Sequence, residues 1–468
     1  MSVTEQIESF KFGHTPIETK ALVNVGCGFD IPTGSYVTGK YGESILNGGC
    51  GYFVVVAGGA NNYKTAVMFY MMTTLMERLG YYTSGNFYDT EENAFIESLN
   101  RLLLQNPNVT DPEMINTNRL LITDKVLYSG NEFFEKLKSD LEKKALDKKN
   151  KITLPFVDRL GNNIRSHVPT ASAIDSISDF SSDDVDEQLD DNELGSSKQL
   201  TAHMKQGLVK TNMIVRIPQL CGKTNNYMFM TAQVGSKIEM NPMQPSPRQL
   251  THMKQGEIIK GCSSKLISLA NVTWAARNAR VFNNQRTKMP EYPKTNVDGV
   301  EGDTDLMAVN YQTWRSKTGP SAYTLELIIS QKDGLLPTLT EFNLMKTSNR
   351  FGISGNEMNY FTPFLPDVKL SRTVLRSKID TNERLRRAIN ISSEMCQLKE
   401  LHRHEDVMCT PEELVQDLVA KGYNIEQLLD TVGWWSPLEA NQQTPFLSTL
   451  DLLKMRAGTY HPYWMSNT

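Results

Sequence analysis

The chain has 468 residues, enough for a large core and two or three domains of ordinary size, ~100–200 residues each. With 39% hydrophobic and 22% charged residues it has the composition of a soluble globular protein. No apolar run approaches the ~18–20 residues of a membrane span, and the opening MSVTEQIESFKFGH is too polar for a signal peptide. The net charge of −4 does not single out nucleic acid as a partner, because phosphate rewards a basic surface, so any DNA site is a local patch. Six scattered cysteines without a CxxC pair exclude a zinc ribbon or disulfide framework and point to a reducing, intracellular setting.

Tyr52 to Ala57 reads as a strand, followed by a Gly-rich turn and a long apolar helix ending at Gly80. A second strand, Thr83 to Asp89, comes at once, and this alternation predicts βα units and a parallel sheet. From Glu92 to Lys149 the composition is helical. Ile152–Val157 and Ile164–Val168 flank a turn and predict a hairpin, and Thr170–Ile177 is a buried strand carrying Asp175. Residues 179–193 hold eight acidic residues and no basic one, which predicts a mobile loop. A helix over Gln199–Lys210 and a strand over Tyr227–Val234 follow, then strands over Lys265–Ala275 and Ala322–Ser330. Residues 285–305 are a surface loop by composition. Beyond about Asn343 helices dominate, including Thr381–Leu401 and Pro411–Thr431. LTAHMKQG at 200–207 and LTHMKQG at 250–256 are two short copies, too few for a solenoid.

Gly58-Gly59-Ala60-Asn61-Asn62-Tyr63-Lys64-Thr65 fits the phosphate-loop pattern G-x-x-x-x-G-K-[ST], except that Tyr63 replaces the second glycine. In such a loop, backbone N–H groups and the helix N-terminus wrap phosphates, the lysine reaches the β/γ-phosphates, and the threonine hydroxyl ligates Mg²⁺. The required strand and helix flank it. An aromatic residue fits at position 63 only with ordinary helical dihedrals. A Gly/Asn turn with a surface lysine remains the alternative.

Tyr88-Asp89-Thr90-Glu91-Glu92 ends the second strand, where ligands of open α/β sheets sit, so Glu91 is a candidate to orient or deprotonate an attacking water. An N-cap, with Glu91 and Glu92 complementing a helix dipole, is the competing reading. Ala173-Ile174-Asp175-Ser176 has the form of a Walker B segment, its aspartate holding magnesium from the strand beside the phosphate loop. Gln233, at another strand end, is suited to bond a terminal phosphate, or is an ordinary strand-end polar residue.

In this order the motifs resemble the RecA/RadA recombinase family, closest to the UvsX type of phages, over roughly residues 20 to 335. Ile31-Pro32-Thr33-Gly34-Ser35 and Leu46-Asn47-Gly48-Gly49 resemble the signature preceding the phosphate loop, and an aromatic residue before the lysine resembles the UvsX variant. The resemblance implies a RecA-like P-loop ATPase core, an α/β fold with a mostly parallel sheet. That core would span 51–342 with an acidic loop at 179–197, between a subunit-contact segment at 1–50 and a mainly helical C-terminal domain at 343–468. It implies ATP and Mg²⁺, with Thr65 and Asp175 on the metal, Glu91 and Gln233 catalytic, and loop 58–65 on the phosphates. Arg315 and Lys317 resemble the basic pair that reaches a neighbouring subunit's ATP, or are solvated strand-end charges.

The segment after Ser178 falls where the family has its first DNA-binding loop, and Gly235–Lys260 where it has its second. Lys237, Arg248, Lys254 and Lys260 with Met240, Met243 and Met253 supply charge and apolar wedges for single-stranded DNA. In the first, Lys198, His203, Lys205 and Lys210 serve DNA, or the carboxylates compete with it or only aid solubility. Asp380–Arg387 reads as a solvated helix, with a DNA-facing one as the alternative. The implied activity is ATP-dependent filament formation on single-stranded DNA, homologous pairing and strand exchange, with a recombination mediator as accessory partner and no membrane partner. It would act in the cytoplasm or another DNA-containing compartment of a host cell. A hexameric DnaB-like helicase ring and an ATP-binding scaffold are the alternatives. An insertion of several tens of residues between Glu91 and Asp175 departs from the family.

Overall fold

The structure is a computed structural model that describes residues 20–91, 95–124, 130–180, 197–237, 247–295, 301–356, 358–440 and 443–465 (of 124, 130–131 and 197–206, the backbone alone). Its described chain opens with a helical turn, α1 (Asp30–Thr33), and a small hairpin, β1 (Ser35–Thr38) with β2 (Ser44–Asn47). In β3 (Phe53–Gly58) all six residues are buried, and the β-branched run Val54–Val56 suits a strand covered on both faces. After a turn, α2 (Lys64–Leu79) is buried without a break from Val67 to Met76, as expected of a helix sandwiched between layers. It stops at Gly80, whose φ of 99° is one that glycine adopts without steric cost.

The chain continues through β4 (Ser84–Asp89), α3 (Ile96–Leu104), β5 (Leu120–Asp124) and α4 (Gly130–Leu146) to the hairpin of β6 (Lys151–Val157) and β7 (Asn163–His167). Next come β8 (Thr170–Asp175), α5 (Ser197–Thr224), β9 (Asn226–Ser236), β10 (Glu257–Ile259), α6 (Lys265–Leu269), β11 (Val272–Val281), β12 (Leu306–Ser316), β13 (Thr324–Ser330) and β14 (Gly334–Leu335). One large sheet runs β14-β13-β12-β11-β3-β9-β8-β4-β5, with β10 paired to β9. From β11 to β5 all pairings are parallel, while β12 to β14 extend it antiparallel. The fold is therefore α/β with a mostly parallel central sheet, as the alternation of the sequence predicts.

Several details differ from the expectation. Asp175 does not stand on the strand beside β3, because β9 lies between β3 and β8. Lys265–Ala275 splits into a short helix and the start of β11. Strands β5 and β12 were not anticipated: Leu120–Asp124 is short and lies in a helical composition, and β12 runs into the basic stretch around Arg315. The helix expected over Gln199–Lys210 runs on to Thr224, through Gly207, Pro218 and Gly222. The acidic run lies outside the described residues except for Asp179.

The rest of the chain forms α7 (Pro337–Thr347), a meander of β15 (Ser354–Asn356), β16 (Asn359–Thr362) and β17 (Leu365–Leu370), then α8 (Leu375–Thr381), α9 (Glu383–Glu400), α10 (Pro411–Ala420), α11 (Ile425–Leu429) and α12 (Thr449–Ala457). The helix expected over Thr381–Leu401 is present as α9, which starts after Asn382, whose side chain caps it by accepting from the Leu385 N–H. Pro411–Thr431, expected as one helix, is two, separated around Gly422 at φ 86°. Nor is Asp380–Arg387 simply solvated. Arg387 is buried and donates to the Leu447 carbonyl and Asn390 Oδ1, while Arg384 pairs with Glu426 and Asp430.

This region is tied to the beginning of the chain. Trp435 Nε1 donates to the Leu22 carbonyl at 3.0 Å, and Gln397 Nε2 to that of Gly28 at 2.8 Å. The Ile31–Ser35 signature is a packing element: Arg403 donates to the Ile31 and Gly34 carbonyls, and Gly319 lies so close that an added Cβ would stand 1.6 Å from the Pro32 carbonyl oxygen. Backbone cannot yield there as a side-chain tip can. Gly319→Ala is therefore expected to destabilise the chain by about 3 kcal/mol, as overpacking does. Gly222→Ala, in α5 with nothing within 4 Å of the new methyl, is expected to gain about 0.5 kcal/mol. Chemical denaturation of both variants checks the contrast.

Candidate functional site

The loop between β3 and α2 is shaped by backbone and neighbours together. Gly58 is needed where it stands, since a Cβ would come within 2.9 Å of Ala276 Cβ on β11. Asn61 and Tyr63 both adopt left-handed backbone, at φ 57° and 56°. Tyr63 thus takes a left-handed conformation of the kind that favours glycine, not the ordinary helical one expected of an aromatic residue. Such a residue costs about 1–2 kcal/mol over right-handed geometry, so the surroundings must hold it. They do: the Tyr63 ring packs partly buried against the core, and Tyr311, buried on β12, donates its hydroxyl hydrogen to the Asn62 carbonyl at 2.9 Å. Lys64 folds back to donate to the Gly59 carbonyl at 2.9 Å. A backbone curled in this way, at the N-terminus of a sixteen-residue helix, offers N–H donors to an anion.

Asp175, at the end of β8, is brought to this loop by hydroxyls. Thr65, in the first turn of α2, donates to Asp175 Oδ2 at 2.5 Å, and Thr231 on β9 donates to Oδ1. Thr90 N–H donates to the Asp175 carbonyl at 2.8 Å, and the Thr90 hydroxyl to the Ser176 carbonyl. Burial pushes the Asp175 carboxyl above the ordinary carboxylate range, with Glu91 and Asp89 adding to the rise and the two threonines opposing it. Burial pushes the Lys64 ammonium down from its usual value, against the pull of Asp175, Glu91 and Asp179. The carboxylates and the lysine are therefore close enough to influence one another's charge.

A divalent cation fits the oxygen set of Thr65 and Asp175. Among the described residues no group of three or more His, Cys, Asp or Glu is gathered to hold a metal by itself, so such an ion would take its remaining oxygens from water and a bound phosphate. That is the ligation magnesium favours.

Glu91 follows β4, and its backbone N–H donates to Asp89 Oδ1 at 3.0 Å. That bond closes a local turn and caps no helix, since α3 starts at Ile96 after Phe95 without a side-chain cap, so the capping alternative does not hold at Asp89. The Glu91 carboxylate is near enough to Lys64 and Asp175 to raise the proton affinity of both. Glu92 lies outside the described residues. Gln233 pairs in register with Gly58, so it stands beside the start of the loop. Its backbone N–H donates to Ser178 Oγ at 2.8 Å, and its side-chain amide to Asp179 Oδ2 at 3.2 Å.

The β9–β10 hairpin rises from this same end of the sheet. Lys237, Arg248, Lys254 and Lys260 are exposed there, the Lys260 stem lying over Gly235. Met253, expected as an apolar wedge, is instead buried in the core, and Lys210, expected to face DNA, is buried with Nζ donating to the Ser178 carbonyl at 2.8 Å. Both are structural here. The side chains of Lys198, His203 and Lys205 lie outside the described residues, as do Met240 and Met243. Arg315 and Lys317 sit by the start of β11, at the opposite end of the sheet from loop 58–65. Lys317 donates to the Leu269 carbonyl at 2.7 Å, and Lys20 and Arg315 crowd it with like charge. The fold does not bring that pair to this chain's own loop.

Sequence reasoning missed Thr231, Tyr311, Asp89 and Asp179. Both Thr231 and Asp89 stand inside segments already singled out; Asp89 ends β4, whereas Thr231 lies midway along β9 and its relation to Asp175 depends on sheet order. Asp179 was merged into an acidic run, and Tyr311 meets Asn62 only through sheet order. In comparisons with known proteins, no family model and no curated protein matches the chain.

Thr231→Val keeps the shape but removes a donor to a buried carboxylate. A hydrogen bond to a charged group contributes ~1.5–3 kcal/mol, so the expected loss in urea unfolding is about 2 kcal/mol. An unchanged midpoint would mean that Thr65 alone satisfies Asp175.

Proposed function

We propose that the chain is a RecA-like, DNA-dependent ATPase that assembles as a filament on single-stranded DNA and drives homologous pairing and strand exchange. The observation that carries this reading is the Thr65 hydroxyl on Asp175, joined to a loop whose Asn61 and Tyr63 backbones are left-handed. The motif spacing becomes a shaped anion site facing a buried carboxylate, which a chance Gly/Asn turn would not supply. A magnesium ion held by Thr65 and Asp175 would offset the charge of the phosphates.

The chain's own groups divide the rest of the work. Backbone N–H groups of 59–65 bind phosphate oxygens, and Lys64 turns from the Gly59 carbonyl to the terminal phosphates. Glu91 orients and deprotonates a water for in-line attack, and Gln233 bonds the terminal phosphate from the neighbouring strand. Because Gln233 stands at the base of the β9–β10 hairpin, what it bonds also bears on the exposed Lys237, Lys254 and Lys260. Those cations supply the local basic patch that a chain of net charge −4 needs in order to hold a phosphate backbone. Arg315 and Lys317, at the far end of the sheet, suit a role toward a second copy. Among the described residues no helix is long and apolar enough to cross a membrane.

Lys64→Ala is expected to abolish ATP binding and DNA-stimulated hydrolysis with the fold retained, since a preorganised charge on phosphates contributes several kcal/mol. Hydrolysis at the unmodified rate would remove the reading. Glu91→Gln is expected to bind ATP but turn it over at least ~100-fold more slowly, as for loss of a general base. Electron microscopy with ATP and single-stranded DNA should show helical filaments, longer-lived for Glu91→Gln. Closed rings would favour a helicase.

A further inference from the structure

Asp179 stands outside the set of groups used above, yet it touches two of their elements. Its Oδ2 accepts from the Ser176 hydroxyl at 2.6 Å and from the Gln233 side-chain amide at 3.2 Å. It is also near enough to Lys64 to raise that lysine's proton affinity. The backbone beneath it is fixed independently, with the Ser178 carbonyl taken by buried Lys210 and the Ser178 hydroxyl by the Gln233 N–H. The carboxylate is thus an anion held where the site otherwise assembles donors for phosphate.

An anionic oxygen bonded to the same amide nitrogen would lie roughly 5 Å from that carboxylate, where like charges repel. We propose that Asp179 is a positioning residue that sets discrimination between nucleoside triphosphate and diphosphate: its carboxylate and a terminal phosphate are alternative partners of the Gln233 amide. This rests on the reading of loop 58–65 as an ATP site. A diphosphate held by the loop ends short of Gln233 and leaves the Asp179 bond intact. A triphosphate oxygen could take the amide's second N–H only at about 5 Å from the Asp179 carboxylate, where repulsion favours loss of the Asp179 bond, while Ser178 stays anchored through Lys210. Asp179 therefore weakens triphosphate binding selectively and makes the release of its own side chain, next to the segment that begins at residue 181, a consequence of that binding.

Calorimetric titration with β,γ-imido-ATP and with ADP tests this in the full chain. For Asp179→Ala the triphosphate analogue should bind about fivefold more tightly, the scale of one exposed hydrogen bond, with ADP affinity changed less than twofold. In steady state the KM for ATP should fall with kcat changed much less. Asp179→Asn, which keeps the acceptor but not the charge, should fall between, and it serves if the alanine variant is unstable. In a Gln233→Ala background the Asp179→Ala gain should vanish, which a general charge effect would not show. Equal tightening toward both nucleotides, or a full gain without Gln233, would overturn the proposal while leaving the ATP site intact. No binding of either nucleotide to the unmodified chain would instead remove the reading beneath it as well.

Discussion

A carboxylate buried at a strand end is tolerable only when its lone pairs are taken by donors or a cation, and Asp175 sets that requirement for the elements that meet at that end of the sheet. Thr65 and Thr231 meet it from α2 and β9. Their positions follow from topology: β9 lies between β3 and β8, so one donor comes from the intervening strand and the other from the helix that leaves β3 and crosses toward β4. Had β8 stood directly beside β3, Thr231 would have no place in the arrangement. The strand order is thus what lets two hydroxyls converge on one carboxylate.

The same strand order explains what was legible in the sequence. Loop 58–65, Asp175 and Glu91 stand out as candidates because each closes or directly follows a strand, β3, β8 or β4, and the parallel sheet sets those ends near one another, whereas β9 runs on past Gln233 to Ser236. Partners joined by pairing alone, such as Tyr311 with Asn62 across 249 positions, leave no trace in local pattern. Burial is equally hard to read for a residue with a long flexible stem. Lys210 and Met253 lie in stretches whose charge suggests exposure, yet both face inward once α5 and the β9–β10 hairpin pack down. Tyr63 failed the expectation for a different reason: a steric preference of 1–2 kcal/mol is small beside the contacts that can override it.

The far end of α2 shows why so many residues outside the site are spent on holding it. Arg78, two residues before Gly80, is buried with its guanidinium 3.9 Å from Asp30 and stacked over Trp434 at 4.4 Å. Asp30 is itself held by the Val25 and Gly26 N–H groups, at 2.8 and 2.9 Å, and burial pushes its carboxyl up to about 7 although Arg78 pulls the other way. A buried pair of this kind adds little net stability against apolar replacements, but losing one partner strands the other. Its effect is to tie the last turn of the helix to the opening segment.

With Thr65 bonded to Asp175 at one end and Arg78 fixed at the other, α2 has little freedom to slide along its axis. The elements that fix the second end are the opening segment, through Asp30, and the C-terminal region, through Trp434. That region in turn grips the opening segment, with Trp435 donating to Leu22 and Gln397 to Gly28. The C-terminal helices supply none of the residues placed around Asp175. They nonetheless bear on it, because a shift of α2 by a fraction of an ångström would lengthen the 2.5 Å bond between Thr65 and Asp175 and leave a buried carboxylate half satisfied. The geometry of the site is therefore a property of the whole described chain, set by two polar contacts at opposite ends of one apolar helix.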